Sequence, residues 1–285
     1  MTQYDKLWDY YKPAETEVKF REALKETSLE KDRSEHLQLL TQLARTQGLQ
    51  RKFDEAHKIL DEVEKELSET PAVEHIRYNL ERGRTYNSSG SPEKSQSYFA
   101  NAFDIAKGLK EDGYAVDAIH MLAIIAPPEA AIALNEQAVL YAENSEDPKA
   151  KNWLGSLYNN LGWGYFDTGS HEKALSIFLR ALKFFEDKKS TYQTFIAKWT
   201  VARALRELKR IDDALTIQLG LFEESVNTGQ NDGYVHEELG ELFLIKNDKQ
   251  KSAFHFEKAY ELLSVEPYVH NMSKQRLERI KELTK

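Results

Sequence analysis

Residues able to carry out acid–base or metal chemistry are scattered along the chain. The eight histidines stand at 36, 57, 75, 120, 171, 236, 255 and 270. No pair has the H-E-x-x-H spacing that sets two imidazoles on one helical face for zinc. Cysteine is absent, which removes thiolate metal ligands and disulfides. No metal or cofactor is expected. Gly162-x-Gly164 begins like a dinucleotide fingerprint, but Asp167 stands where the third glycine belongs and no strand precedes it. Neither a P-loop nor a G-x-S-x-G elbow occurs. The best grouping for catalysis is Asp117, His120 and Arg84, which would need to converge as acid, base and electrophile. A partly buried, hydrogen-bonded imidazole beside Asp117 is the favoured reading of His120. The abundant carboxylates read as solvated outer faces, and an enzyme is not expected.

Binding chemistry is better represented. The stretch LYNNLGWGYFDTG, 157–169, holds two adjacent asparagines, a tryptophan and three glycines. An asparagine amide both donates and accepts, so Asn159 and Asn160 could pair with an extended peptide backbone whatever its side chains. Trp163 and Trp199 are apolar anchors of the kind enriched at interface hot spots. These residues need helices to aim them at one surface.

The bulk composition narrows the partner. At 285 residues and 41% hydrophobic the chain can bury a sizeable core. Forty-seven acidic side chains against 39 basic give a net charge of −8, which repels a phosphate backbone, so nucleic acid is not expected. The most apolar run, MLAIIAPPEAAIAL, is too short for a bilayer and is broken by Pro127, Pro128 and Glu129. The opening MTQYDKLWDYYKP lacks a basic region followed by an apolar run, so the expectation is a cytoplasmic protein without membrane association.

A repeat supplies the positioning elements. Small residues recur at Ala44, Gly83, Ala123, Gly162, Ala202 and Gly240, in steps of 39, 40, 39, 40 and 38. A second small or short series falls at Thr16, Ala56, Ser95, Ala131, Ala174, Ala214 and Ser252. Four residues later stands a residue that is usually large: Phe20, Leu60, Phe99, Phe178 and Phe256, with Asn135 and Gln218 as departures. Two antiparallel helices approach closely where one presents a small side chain and the other fills the groove. Leu161-Gly162, Tyr165, Gly169, Ala174, Phe178 and Ala181 together resemble the tetratricopeptide repeat. The spacing, longer than the usual unit of about 34 residues, resembles kinesin light chain repeats.

The resemblance implies an all-α fold, a right-handed α-solenoid of stacked antiparallel helix pairs. One domain is expected over 1–285, with a partial N-terminal repeat at 1–30, six repeats over 31–265 and a capping helix at 268–285. Tyr4, Leu7, Trp8 and Tyr11 are spaced as one apolar helical face closing the first repeat. Leu277, Ile280 and Leu283 do the same at the other end. Only eight residues separate Ala123 from Ala131, against twelve in the other complete copies, with Pro127-Pro128 between them. That first helix is expected to lose a turn, and the linker around 144–152 to lengthen.

In the resembled family the first helices line a concave groove. On each, the residues six, three and two before the small residue and one after it form the groove stripe. Partner-binding candidates from that stripe are Arg45, Arg77, Arg84, Asp117, His120, Asn159, Asn160, Trp163, Trp199 and Arg203. The arginines, Arg206 included, could take ligand carboxylates, although pairing with nearby glutamates accounts for them equally well. The Lys/Asn pattern of the heat-shock chaperone clamp is absent: Leu80 and Arg84, Met121, and Ser156 and Asn160 occupy that register. The expectation is a non-enzymatic scaffold or adaptor holding a protein or peptide in its groove. A ligand- or peptide-responsive regulatory sensor is the alternative, and self-association through acidic and Arg-lined repeats is left open.

Overall fold

The computed structural model describes residues 3–265 and 274–284, with side chains from residue 4. Residues 268–273 and 285 of the expected capping segment, with His270, lie outside the described residues. The chain divides into two compact units, Met1–Leu157 and Tyr158–Lys285.

In the first unit a short 3-10 turn, Gln3–Leu7, precedes α1, Pro13–Lys25. Then come α2, Arg33–Leu49; α3, Phe53–Glu66; α4, Val73–Ser88; α5, Pro92–Leu109; α6, Asp112–Ile125; α7, Pro128–Asn144; and α8, Pro148–Asn152. Pairs α2–α3, α4–α5 and α6–α7 pack side by side, and the first helices α2, α4 and α6 contact one another in order. α9, Leu154–Asp167, spans the boundary between the units. The second unit continues with α10, His171–Asp187; α11, Thr191–Glu207; α12, Ile211–Asn227; α13, Gly233–Ile245; α14, Lys249–Leu263; and α15, Lys274–Glu282. The described residues are all-α, built of the antiparallel helix pairs of a solenoid.

One turn chemistry recurs between helices. At Gly169 the backbone is left-handed, φ 77°, and the next amide, Ser170 N, donates to Tyr165 O five residues back at 2.8 Å. That is the six-to-one bond of a helix C-terminal motif, where glycine carries no steric cost. Lys209 and Asn247 take the same conformation, and Arg210 N and Asp248 N make the equivalent bonds to Leu205 and Phe243. The exception is the α6–α7 connection. There Ala126 is extended, as a residue before proline must be, and α6 stops two residues after Ala123. α4, α9 and α11 each run five residues past Gly83, Gly162 and Ala202. α6 is thus a turn shorter at its C-terminus, and the lengthened linker contains α8.

The repeat's small and large positions meet in the core. A Cβ built on Gly83 would lie 2.5 Å from the Phe99 ring, and one on Gly240 2.9 Å from Phe256. Both rings are fully buried. At the C-terminal end Leu277 and Ile280 of α15 pack with Phe256, Ala259 and Leu263, with Leu283 beside them. The N-terminal expectation needs correction. The helical face breaks at Leu7; Trp8 stacks on Tyr10 at 4.6 Å and meets Phe20 edge-on, while Tyr11 is 98% exposed. Lys12-Pro13 restarts the chain as α1, so Tyr11 cannot stay in register with Tyr4.

Candidate functional site

Each unit gathers part of the expected groove stripe. In the first unit α2, α4 and α6 are tied by a ladder of buried or half-buried charges. Arg45 on α2 reaches Glu81 on α4 at 3.0 Å, Arg84 bonds the same carboxylate at 2.7 Å, and Arg84 also bonds Asp117 on α6. Burial works to lower the Arg84 pKa, but Asp117 and Glu81 outweigh it and the guanidinium is held above its usual value. Arg77, two turns before Arg84 on α4, is 4% exposed and bonds Asp5 at 2.9 Å, with the Tyr114 ring 5.3 Å away. Burial pushes the Tyr114 hydroxyl up to about 12 against the pull of Arg77.

These side chains line a cavity of about 380 Å3, closed on other sides by Trp8, Tyr10, Lys149 and Trp153. The N-terminal segment supplies part of that wall. Trp8 Nε1 donates to Gln42 Oε1 at 2.9 Å, and the Arg45 guanidinium lies 5.8 Å from the Tyr10 ring. His120 packs against Trp153 at 5.1 Å, and burial pushes its pKa down more than Asp117 raises it. Arg84, Asp117 and His120 thus come together, with Asp117 accepting from Arg84 and the imidazole packed against an indole.

The second unit gathers the aromatic part. Trp163 and Trp199 lie 6.3 Å apart, and Arg203 stacks over Trp199 at 5.4 Å while reaching Glu238 at 3.8 Å. Arg206 bonds the same carboxylate at 2.5 Å. Glu238 is 1% exposed, and burial raises its pKa despite Arg206. Trp163 also meets the buried Phe178 edge-on at 5.4 Å, so much of that ring serves packing. Asn159 and Asn160 are half-buried on α9. Beyond Trp199 opens a cleft of about 820 Å3, lined among others by Tyr192, Phe195, Ile196 and Tyr234. Trp199 is anchored there by its Nε1 bond to Tyr234 O at 3.2 Å.

Spacing alone missed Asp5, Trp8, Tyr10, Tyr114, Lys149 and Trp153 in the first cavity. Asp5 and Arg77 are 72 residues apart, and no local pattern couples them. The sequence marked that segment only by the apolar spacing of Tyr4, Leu7, Trp8 and Tyr11, as a cap. No cluster of three or more His or carboxylate side chains suited to a metal ion occurs among the described residues. No helix there is long and apolar enough to cross a membrane.

Comparison with known proteins agrees with this architecture. Residues 154–187 match the family model described as tetratricopeptide repeat. A search of curated protein sequences finds no relative. Among solved structures, the apo form of RapI is similar with a TM-score of 0.74 at 12% identity, over 98% of this chain and 84% of that one. A signal-transduction ATPase with a tetratricopeptide repeat sensor from Pyrococcus horikoshii also gives 0.74, at 13% identity, over 96% of this chain and 42% of the ATPase. A putative kinesin light chain repeat structure from Podosopora anserina gives 0.56 at 16% identity, over 70% and 98%. At these identities the likeness is one of fold.

Proposed function

We propose, from the matched tetratricopeptide repeat at 154–187 and the paired-helix fold, that the chain is a non-enzymatic interaction module that holds a peptide segment against its first helices. One observation carries this reading. The groove face of α2 and α4 already holds a peptide segment, the chain's own residues 5–10, through Asp5–Arg77, Trp8–Gln42 and Tyr10–Arg45. Such contacts, a charge pair, an indole donor and a stacked guanidinium, are those by which extended or irregular peptides are gripped. Trp199, Arg203 and Glu238 form a separate group in the other unit. The location in mind is the cytoplasm, and the partner a protein.

Selection of displayed peptides against the full chain tests this, with Arg45→Ala and Arg203→Ala as groove variants. Both side chains are partly exposed, so their loss leaves the core intact. Peptides bound by the wild type and lost by at least tenfold in one variant, at unchanged helicity, are expected. Binding indifferent to both changes would move the site away from both residues.

A second reading, a ligand-responsive sensor, is favoured by the likeness across nearly the whole chain to RapI and to the repeat-sensor ATPase. It adds one requirement: bound peptide must change the radius of gyration measured by small-angle scattering.

A further inference from the structure

The cavity in the first unit is lined by four cationic side chains, Arg45, Arg77, Arg84 and Lys149, and three carboxylates, Asp5, Glu81 and Asp117. Glu81 and Asp117 are engaged by Arg45 and Arg84. Asp5 is the carboxylate bonded to Arg77, whose side chain is buried and whose Nε has no hydrogen-bond partner. In a protein of net charge −8, this groove becomes locally cationic whenever Asp5 leaves it. A buried guanidinium without a counter-charge is strongly unfavourable. Whatever replaces the N-terminal segment must therefore bring a carboxylate to Arg77.

The segment itself is lightly held. Its regular structure is a single 3-10 turn, and Lys6 and Tyr11 are exposed, Tyr11 almost completely. Its root is fixed separately, by Asp9 N to Thr16 Oγ1 at 3.1 Å and Thr16 Oγ1 to Asp9 O at 3.0 Å. Residues before Asp9 can thus leave the groove while α1 stays in place.

Resting on the groove reading above, we infer that residues 4–8 are an internal occupant of this groove, and that its external partner is an acidic peptide that displaces them. That peptide offers a carboxylate to Arg77 and an indole or equivalent donor to Gln42. Neutral and basic peptides are rejected because they strand Arg77 in a buried site.

The probe is an acetylated peptide of the chain's own residues 4–11, labelled at its C-terminus, followed by fluorescence anisotropy against the full chain. The opened variant is Asp5→Ala with Trp8→Ala. Asp5→Asn is the second variant; it keeps the Trp8 packing against Phe20 should the double change unfold the protein. Both opened variants are expected to bind the probe at least tenfold more tightly than wild type. Arg77→Met added to either should return binding to the wild-type level, and a probe with its aspartate at position 5 replaced by alanine should bind at least tenfold more weakly. Equal affinity for wild-type and opened chains within twofold, undetectable binding to all of them, or binding indifferent to Arg77→Met overturns the inference. A wild-type dimer in sedimentation that is abolished by Arg77→Met overturns it in another way, by making the occupant the same segment of a second copy. If selected peptides depend on Arg45 or Arg203 while this probe binds no variant, the groove reading stands and the displaced-segment inference alone fails.

Discussion

Gly162 of α9 lies so close to the Phe178 ring of α10 that a Cβ on the glycine would fall inside any real contact distance. Gly83 and Phe99 repeat the arrangement, as do Gly240 and Phe256. Where the small residue is Ala44, the residue at the large position is Leu60, and both are buried in one cluster. The volumes on the two helices compensate, as dense packing demands.

Glycine inside a helix ordinarily costs about 1 kcal/mol relative to alanine. At Gly162 the sign should reverse. Gly162→Ala must push the fully buried Phe178 ring aside and is expected to lower stability by about 1–3 kcal/mol. Gly220, within α12 and exposed, has nothing within reach of a Cβ; Gly220→Ala should raise stability by about 0.5–1 kcal/mol. Urea unfolding of the two variants decides it, and a stabilising Gly162→Ala would show that the pair is not tightly packed.

That pair was legible in the sequence because both partners lie within one repeat and recur in fixed phase. The shortened α6 was legible for the same reason: eight residues between Ala123 and Ala131, with two prolines, leave no room for the missing turn. α8 was not legible as a helix, since five residues, Pro148–Asn152, carry no periodicity. Nor was the pairing of Asp5 with Arg77. Stripe spacing placed Arg77 on the groove face, but nothing near position 5 says which distant helix its carboxylate will meet. The break between Leu7 and Pro13 also defeated the apolar face read through Tyr11, because period alone ignores where the chain must turn.

Gln218 departs from the large apolar residue expected four positions after Ala214. Its amide is completely buried on α12, and neither Nε2 nor Oε1 has a hydrogen-bond partner. An unmet buried amide costs about 1–3 kcal/mol. Gln218→Met, close in length and apolar, is expected to stabilise by a figure in that range. Destabilisation in chemical unfolding would mean the amide is satisfied in solution, for instance by a buried water.

His236 and His255 meet between α13 and α14, Nδ1 to Nδ1 at 3.0 Å, inside a cage of Phe222, Phe243 and Phe254. Burial, then His236, then Lys251 push His255 down from 6.5 to about 4. The folded state therefore binds this proton more weakly than the unfolded chain. Its contribution is fully present above pH 6.5 and is lost as pH falls toward 4. Wild type should lose about 2–3 kcal/mol across that window from this group. His255→Phe should flatten the pH dependence measured by urea unfolding between pH 7 and pH 4.5; an unchanged slope would assign the loss to other groups.

Asp147 links the irregular linker to the candidate site. Its Oδ1 accepts the Lys149 amide and caps α8, and its Oδ2 accepts the Gly113 amide at the start of α6 at 3.1 Å. Gly113 leaves the space for this approach, since a Cβ there would lie 2.7 Å from Lys149 Cβ. Ser145 completes the junction by donating to Asp112 at 2.5 Å while accepting the Asp147 amide at 3.0 Å. α8 and the residue after it carry Lys149 and Trp153, two walls of the first cavity. Asp147→Ala removes both acceptors and should cost about 1–2 kcal/mol. The loss should also be local: faster amide exchange at Gly113 and Lys149, with the α4–α5 core unchanged. Because peptide contacts on Arg45 and Arg77 do not pass through α8, groove binding should weaken less than in Arg77→Met. An Asp147→Ala variant that equals Arg77→Met in lost affinity would show that the α8 wall, and not the arginine face, grips the ligand.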